Sequence, residues 1–374
     1  MIKHNDNILI TGSDGFIGKN LAEHLKCKGY TQLMLYDVNS DISEFTKNIE
    51  NCSFIFHLAG VNRPKTNEEF SSGNHGSTIN LIDKLKQAER SVPILFSSSI
   101  QADIDNDYGR SKLAAERELM DYSKQIRTPV MIIRLPNVYG KWCQPNYNSV
   151  VATFCYNISR GLPITINDPD RVLSLVFIDD VCEHFIEAME TNNSKNTHSL
   201  ATNEITLERL ASLIESFQNY PDRPPLIPDM GETLVRNLHS TYQSYIPSDL
   251  LETTLLTHAN DAGSFTELLH FKGGGQVSVN VSKPGIIKGN HWHHSKIEKF
   301  VVIAGKGEIK FRQIHSQEIT TYPVDGSKPS IIDIPGGYTH QIVNTGDVDL
   351  ITIIWANDIF DINAPDTFKM DING

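Results

Sequence analysis

Asn7-Ile8-Leu9-Ile10-Thr11-Gly12-Ser13-Asp14-Gly15-Phe16-Ile17-Gly18 is the stretch on which the fold of this 374-residue chain turns. The apolar run from Asn7 to Thr11 has the length of a short buried strand, and after the glycine turn a helical pattern continues to about Lys28. Glycine at 12 permits a tight turn, glycine at 15 lets backbone amides approach a pyrophosphate, and glycine at 18 lets the helix lie close to the strand. A triple-glycine turn is a weak signal on its own. Its setting strengthens it, because Leu33 to Tyr36, Phe54 to His57, Ile94 to Ser97 and Val130 to Arg134 each read as further buried strands. Helical segments such as Asn80 to Arg90 and Ser111 to Lys124 lie between them, and this βα order predicts a doubly wound parallel sheet.

The spacing Gly12-x2-Gly15-x2-Gly18 resembles that of extended short-chain dehydrogenases/reductases, which implies a Rossmann domain with an NAD(P) cofactor against Gly12, Gly15, Phe16, Ile17 and Gly18. Asp37 closes the second strand, where a carboxylate commonly accepts from the adenosine ribose 2′-hydroxyl and repels a 2′-phosphate, favouring NADH over NADPH. A turn or cap aspartate that touches no ligand is the other reading. His57-Leu58-Ala59-Gly60 resembles the family's H-x-A-G turn, placing Leu58, Ala59 and Gly60 beside the cofactor, and Asn74 matches the following helix as a binding residue or a structural linchpin.

Tyr108 and Lys112, four apart, share one face of a helix, so the ammonium can depress the phenol pKa and hold the nicotinamide ribose. With Ser99 orienting a carbonyl, or Ser98 in its place, they form the expected catalytic set. Arg134-Leu135-Pro136-Asn137-Val138-Tyr139-Gly140 resembles the R-x-x-N-x-Y-G segment that leads such reductases into their sugar-nucleotide lobe, making Asn137, Asn148 and Arg171 candidate substrate ligands. Irregular loop or exposed surface is the bland reading for these three.

A second constellation lies downstream in Gly289-x-His291-x-His293-x4-Glu298 and Pro335-x-Gly337-x2-His340-x3-Asn344. Imidazoles at i and i+2 of a strand point to one side, a carboxylate can return after a turn, and a second strand brings a third imidazole. Three nitrogens and one oxygen suit zinc, with manganese, iron, nickel or copper open on ligand type. The paired motifs resemble those of the cupin superfamily, which implies a jelly roll with His291, His293, Glu298 and His340 as metal ligands and His294 outside the set. Short β-runs separated by Gly and Pro, from Phe265 to Phe271 through Leu350 to Trp355, agree with that architecture. Pro-rich Tyr220 to Pro228 breaks the helical pattern and Ser240 to Pro247 reads as a hinge, so the expected domains are 1–247 and 248–374.

The net charge, 33 basic against 45 acidic groups or −12, argues against nucleic acid or an anionic membrane as partner. No apolar run approaches the roughly 18 residues of a membrane span, and Met1 leads into a strand-like run rather than a leader, so a cytoplasmic protein is expected. Five cysteines without a C-x-x-C are expected to be reduced thiols.

The wording of His57 to Pro64, of Trp142 to Ser149 and of Gly289 to His294 resembles, nearly end to end, the bifunctional CapF/WbjC/FnlB-type enzymes of capsule and O-antigen synthesis. The resemblance implies NADPH and a UDP-linked 2-acetamido-2,6-dideoxy-4-hexulose, epimerised at C3 by the cupin and reduced at C4 by the Rossmann domain. Lys288, Glu308 or water at the metal are the candidate proton carriers for epimerisation. Edge-strand pairing of cupins suggests a homodimer. The competing reading is a 4-reductase whose cupin serves only to dimerise.

Overall fold

All four residues of the opening strand β1 (Ile8–Thr11) are buried, and their alternation assigns them to two cores. Ile8 and Ile10 join Phe54 and Phe56 on one face of the sheet, while Leu9 and Ile55 face the other way. The computed structural model describes residues 2–62, 66, 70–191, 200–219 and 223–374; Arg63, Pro64 and the Tyr220-Pro221-Asp222 break lie outside the described residues. The strands β1, β2 (Leu33–Tyr36), β3 (Phe54–His57), β4 (Ile94–Ser99) and β5 (Val130–Leu135) form a parallel sheet of order 2-1-3-4-5. Helices α1 (Phe16–Cys27), α2 (Ile42–Asn51), α3 (Ser77–Gln87) and α4 (Asp107–Ile126) follow the first four strands. The order reverses between β1 and β3, so a crevice opens outside their carboxyl ends, at Gly12 and at Leu58 to Gly60.

Beyond β5 the chain makes β6 (Asn137–Tyr139), α5 (Val150–Ile158), β7 (Val172–Phe177), α6 (Ile178–Thr191), β8 (Asn203–Thr206) and α7 (Leu207–Glu215). Strands β6, β7 and β8 form a small sheet. Helix α6 contributes Val181, Phe185 and Ile186 to the core shared with α1.

The chain divides into one unit of residues 1–216 and 237–246 and a second of 217–236 and 247–374. One boundary between the units lies between Ile246 and Pro247, and 217–236 sit with the C-terminal unit. Their β9 (Leu226–Ile227) runs parallel to the start of the jelly roll at His270 and Phe271, a pairing no local pattern announces. The segment Thr233–Gln243 is helix α8, so Ser240 to Gln243 are helical rather than an open hinge.

In the second unit, β10 (Thr257–Asn260), β11 (Gly263–Phe271), β12 (Gln276–Ser282), β19 (Leu350–Ala356), β14 (Glu298–Ala304) and β17 (Ile331–Ile334) lie side by side. A second sheet has the order β16 (Thr320–Asp325), β15 (Lys306–Gln313), β18 (Tyr338–Asn344), β13 (Ile287–Trp292) and β20 (Phe368–Lys369). Two mainly antiparallel sheets closing on a core of Phe300, Val302, Ile309, Ile342 and Leu350 make a jelly roll.

Candidate functional site

The glycine turn is built as its spacing requires. Gly12 has φ +72° and a side chain there would meet the backbone of Ala59 at 2.7 Å, while one at Gly18 would meet the Gly12 carbonyl oxygen at 2.2 Å. These two contacts leave Gly15 as the N-cap of α1, its amide end facing a cavity of about 710 Å³. Gly15, Phe16, Ile17, Leu58, Gly60, Ser99, Tyr108, Lys112, Asn137, Asn148 and Arg171 all line that cavity. Gly12, Gly18, Ala59 and Asp37 are not on its wall; the first three hold its shape from behind.

Asp37 is a turn cap. Its carboxylate accepts from the Asp14 amide at 2.8 Å and from its neighbour Val38 at 2.7 Å, tying the end of β2 to the glycine loop. The same carboxylate stands beside the glycine turn, the end of the crevice where a bound cofactor's adenosine is expected. Asp37→Asn removes its charge and keeps one acceptor oxygen where the carboxylate offers two, one to each amide. A carboxylate and a phosphate about 4 Å apart repel by about 1 kcal/mol in water and more in a cleft, so the NADPH-to-NADH ratio of kcat/KM is expected to rise roughly tenfold. An unchanged ratio would leave Asp37 as a cap alone.

Tyr108 and Ser99 are brought together. Burial raises the phenol pKa and the hydrogen bond with the Ser99 hydroxyl lowers it. Lys112 is buried, donates to the Ser97 carbonyl at 3.1 Å and lies 4.9 Å from the Phe96 ring centre. Desolvation brings its pKa down to about 8, against the attraction of Glu116. Ser98 is engaged elsewhere, donating to Glu116, which Arg134 clamps through two bonds of 2.8 and 2.6 Å. That ion pair separates the two serines the sequence leaves open, since it holds Ser98 away from the phenol.

Asn74 is the linchpin alternative. Its amide exchanges two 3.0 Å hydrogen bonds with the Val61 backbone and donates to the Ser111 hydroxyl, lashing the turn after β3 to α4. His57 lies between the Thr11 and Thr78 hydroxyls at 2.8 and 3.0 Å, and burial, helped by Lys112, pushes its pKa down to about 3. Asn137 donates to the Ser174 carbonyl, Ser149 caps α5, and Asn148 and Arg171 are exposed on the cavity rim.

In the jelly roll, one ligand-type atom from each of His291, His293, Glu298 and His340 lies within 4.8 Å of the other three. His291 and His340 face each other across β13 and β18, whereas Glu298 comes from β14 in the opposing sheet. Strand β13 ends at Trp292, so His293 stands in the turn that carries the chain from one sheet to the other. Its Nδ1 faces the Asp366 carbonyl oxygen, which can only accept. The proton must therefore be on Nδ1, leaving the Nε2 lone pair for the cage.

His293 Nε2, His340 Nε2 and Glu298 Oε2 are buried without a hydrogen-bond partner, and the two nitrogens stand 3.5 and 3.2 Å from that oxygen. Burial, with the neighbouring imidazoles, pushes His291 down to about 4. Lone pairs and a carboxylate converging without protons between them are a donor set for a divalent cation. Ligand type fits zinc.

Asp366 was not foreseen. Burial would raise its carboxyl, but backbone amides of His294, Ser295 and Lys296 at 2.8 Å each hold it well below the usual range, and they freeze the turn bearing His293. No motif marks a residue 68 positions (366 minus 298) beyond the last local ligand. His294 is exposed, stacked edge-on to Trp292 and Phe368 and outside the cage, as parity predicts.

A Rossmann sheet with a glycine turn and a Ser/Tyr/Lys cleft, joined to a jelly roll with a His/Glu cage, defines an oxidoreductase-type domain fused to a cupin. Residues 8–201 match the NAD dependent epimerase/dehydratase family and residues 258–368 match the Polysaccharide biosynthesis C-terminal domain. The chain belongs to the NAD dependent epimerase/dehydratase family, which implies a nicotinamide cofactor, and end to end to its CapF-type members.

It is 41% identical over 369 residues to UDP-2-acetamido-2,6-beta-L-arabino-hexul-4-ose reductase of Pseudomonas aeruginosa, covering 98% of each chain. The crystal structure of the capsular polysaccharide assembling protein CapF from Staphylococcus aureus superimposes with a TM-score of 0.90 at 43% identity, over 98% of this chain and 100% of that one. UDP-glucose 4-epimerase of Vibrio cholerae is 25% identical over 252 residues, 55% of this chain and 76% of its own.

Proposed function

We propose that the chain is a bifunctional sugar-nucleotide enzyme of capsule or O-antigen precursor synthesis. The cupin unit epimerises C3 of UDP-2-acetamido-2,6-dideoxy-β-L-arabino-4-hexulose. The Rossmann unit reduces C4 to give UDP-2-acetamido-2,6-dideoxy-β-L-talose, on the route to UDP-N-acetyl-L-fucosamine. The observation that carries this is that the likeness to a UDP-hexulose 4-reductase runs through both units, so the cage-bearing jelly roll belongs to the matched length and is not an appendage.

NADPH, or NADH given Asp37, supplies a hydride to C4 when bound. Ser99 donates to the C4 oxygen and orients it, and Tyr108 passes its phenolic proton to that oxygen as the alkoxide forms. Lys112 holds the nicotinamide ribose and keeps positive charge near the phenol. The glycine turn at Gly12, Gly15 and Gly18 presents amides to the pyrophosphate, and Asn137, Asn148 and Arg171 hold the UDP-sugar.

A divalent metal, zinc by ligand type, held by His291, His293, Glu298 and His340, supplies positive charge beside a developing enolate. The 4-ketone acidifies the C3 hydrogen, so removal from one face and return to the other inverts the centre. The partner is a UDP-linked 4-keto-6-deoxy amino sugar. Neither nucleic acid nor a membrane is assigned as partner, in keeping with a charge of −12 and with no described helix long and apolar enough to cross a membrane. A homodimer is in keeping with the exposed edge strand β10.

The test is incubation with the 4-ketosugar nucleotide in heavy water, with and without reduced cofactor. Deuterium is expected at C3 without cofactor, and reduction at C4 only with it. A wholly unlabelled C3 in the metal-loaded protein would leave a 4-reductase with a structural cupin.

A further inference from the structure

We propose that Lys288 is the proton carrier at C3 of the ketosugar. The inference rests on the epimerase activity proposed above. On β13, Lys288 lies opposite Ile342 and His291 opposite His340, with a slip in register between Gly289 and His291. Residues three apart on a regular strand point to opposite faces. Here the extra residue Asn290, with φ +57°, restores parity, and Lys288 and His291 both line one cavity of about 430 Å³ inside the barrel. Gly289 makes the bulge possible, since at φ +107° a side chain there would meet the His340 carbonyl oxygen at 2.6 Å. Lys288 is thus the diagonal neighbour of His340 on the barrel's inner face, about 7–8 Å away along the ladder and within side-chain reach of a sugar at the cage.

Strand β12 shows what holds it. The inward residues Gln276, Ser278, Asn280 and Ser282 are all buried and all polar, an inversion of the pattern expected for a barrel core. Asn280 donates through Nδ2 to the Ser282 hydroxyl at 3.1 Å, which turns its Oδ1 toward Lys288. Lys288 Nζ donates to Asn280 Oδ1 at 2.7 Å and to the Val281 carbonyl at 2.8 Å, and among the described residues no carboxylate forms an ion pair with it.

Two acceptors occupy two of the tetrahedral directions of the nitrogen in either protonation state. The remaining direction carries a lone pair in the amine and a proton in the ammonium, so one anchored geometry serves as base and as acid. Burial lowers the Lys288 pKa, enlarging the amine fraction.

The other protonatable groups around the cavity are committed or peripheral. Lys296 is shared between Glu298 and Thr367, Glu267 pairs with His270 at 3.2 Å, and His258 and Asp358 are exposed. Glu308 pairs with Lys310 and is not on the cavity wall.

In the step, the Lys288 amine takes the C3 proton. The C3–H electron pair becomes the C3–C4 π bond, and the carbonyl π pair moves to the C4 oxygen. Water in the cavity protonates C3 on the opposite face as the carbonyl re-forms, and the hydroxide left behind is neutralised by the Lys288 ammonium.

Solvent deuterium entry at C3, metal content and melting are measured together on the full chain with UDP-2-acetamido-2,6-dideoxy-4-hexulose. Lys288→Met, Lys288→Arg and Lys288→Ala are each expected to lose about 10²–10⁴-fold in exchange while keeping the metal, and methylamine is expected to restore exchange in Lys288→Ala in proportion to its concentration. Exchange within a few-fold of the unsubstituted protein in Lys288→Met, or retained in Lys288→Arg, overturns the inference while leaving the epimerase activity standing. Absence of exchange in the unsubstituted protein removes both.

Discussion

Replacing Tyr108 with phenylalanine is expected to lower C4 reduction by about 10²–10⁴-fold and to leave deuterium entry at C3 unchanged. The ring keeps its place, because Phe70 packs 5.8 Å from it and only the hydroxyl is lost. Ser99 retains a hydrogen-bond partner in the Gln101 amide at 3.2 Å, so the cleft does not acquire a stranded hydroxyl and melting should move little. What disappears is a proton donor at the C4 oxygen, and neither Ser99 nor the Lys112 ammonium, which is bonded to the Ser97 carbonyl, can replace it at no cost. The measurement is stopped-flow oxidation of the reduced cofactor beside mass-spectrometric labelling in heavy water. Loss of both activities in this variant would argue against two separate chemistries.

Removing a cage imidazole should have the second largest effect. His340→Ala is expected to release the metal, to abolish exchange at C3 and to lower the melting temperature of the cupin transition. His340 is almost fully buried and its Nε2 stands 3.2 Å from Glu298, so truncation leaves a cavity and a carboxylate with one partner fewer. A ligand present at a thousand times its dissociation constant adds about 4 kcal/mol to stability, so chelation of the unsubstituted protein should itself lower melting by roughly 10 °C. His293→Ala should behave alike, because its Nδ1 is committed to the Asp366 carbonyl and only Nε2 is free to ligate. Metal content read against exchange separates the roles. A variant that loses metal but keeps exchange would make the cage structural, and one that keeps metal but loses exchange would make that histidine the proton carrier.

The glycine turn and the Tyr108/Lys112 pair were legible because each is fixed by short-range geometry, and the four cage residues because they carry paired motifs of ligand-type side chains. Gly12 and Gly18 are required where backbone meets backbone, and four residues make one helical turn. Less legible was the partner of the phenol. Helical spacing puts Lys112 one turn from it, and the carboxyl end of β4 adds Ser99 as a hydrogen-bond partner that helical spacing does not show. Asp37 read as a cofactor ligand or a cap, and its bonds to the Asp14 and Val38 amides show the cap while leaving its charge available.

The bulge at Asn290 turns Lys288 inward with His291, and a bulge depends on the neighbouring strand as much as on its own residues.

What the amino-acid order settled by itself was the kind of chemistry: backbone freedom at three glycines, a phenol and an amine one turn apart, and three imidazoles with a carboxylate at ligand spacing. What only the tertiary structure decided was which neighbours those groups keep. Glu116 and Arg134 take Ser98 and leave Ser99, Asp366 sets the tautomer of His293, Glu298 arrives from the opposing sheet, and 217–236 join the cupin through β9. Local conformation follows from a residue and its few neighbours in sequence. The partners of a buried polar group are chosen by whatever packing brings within 3 Å, and desolvation makes that choice obligatory.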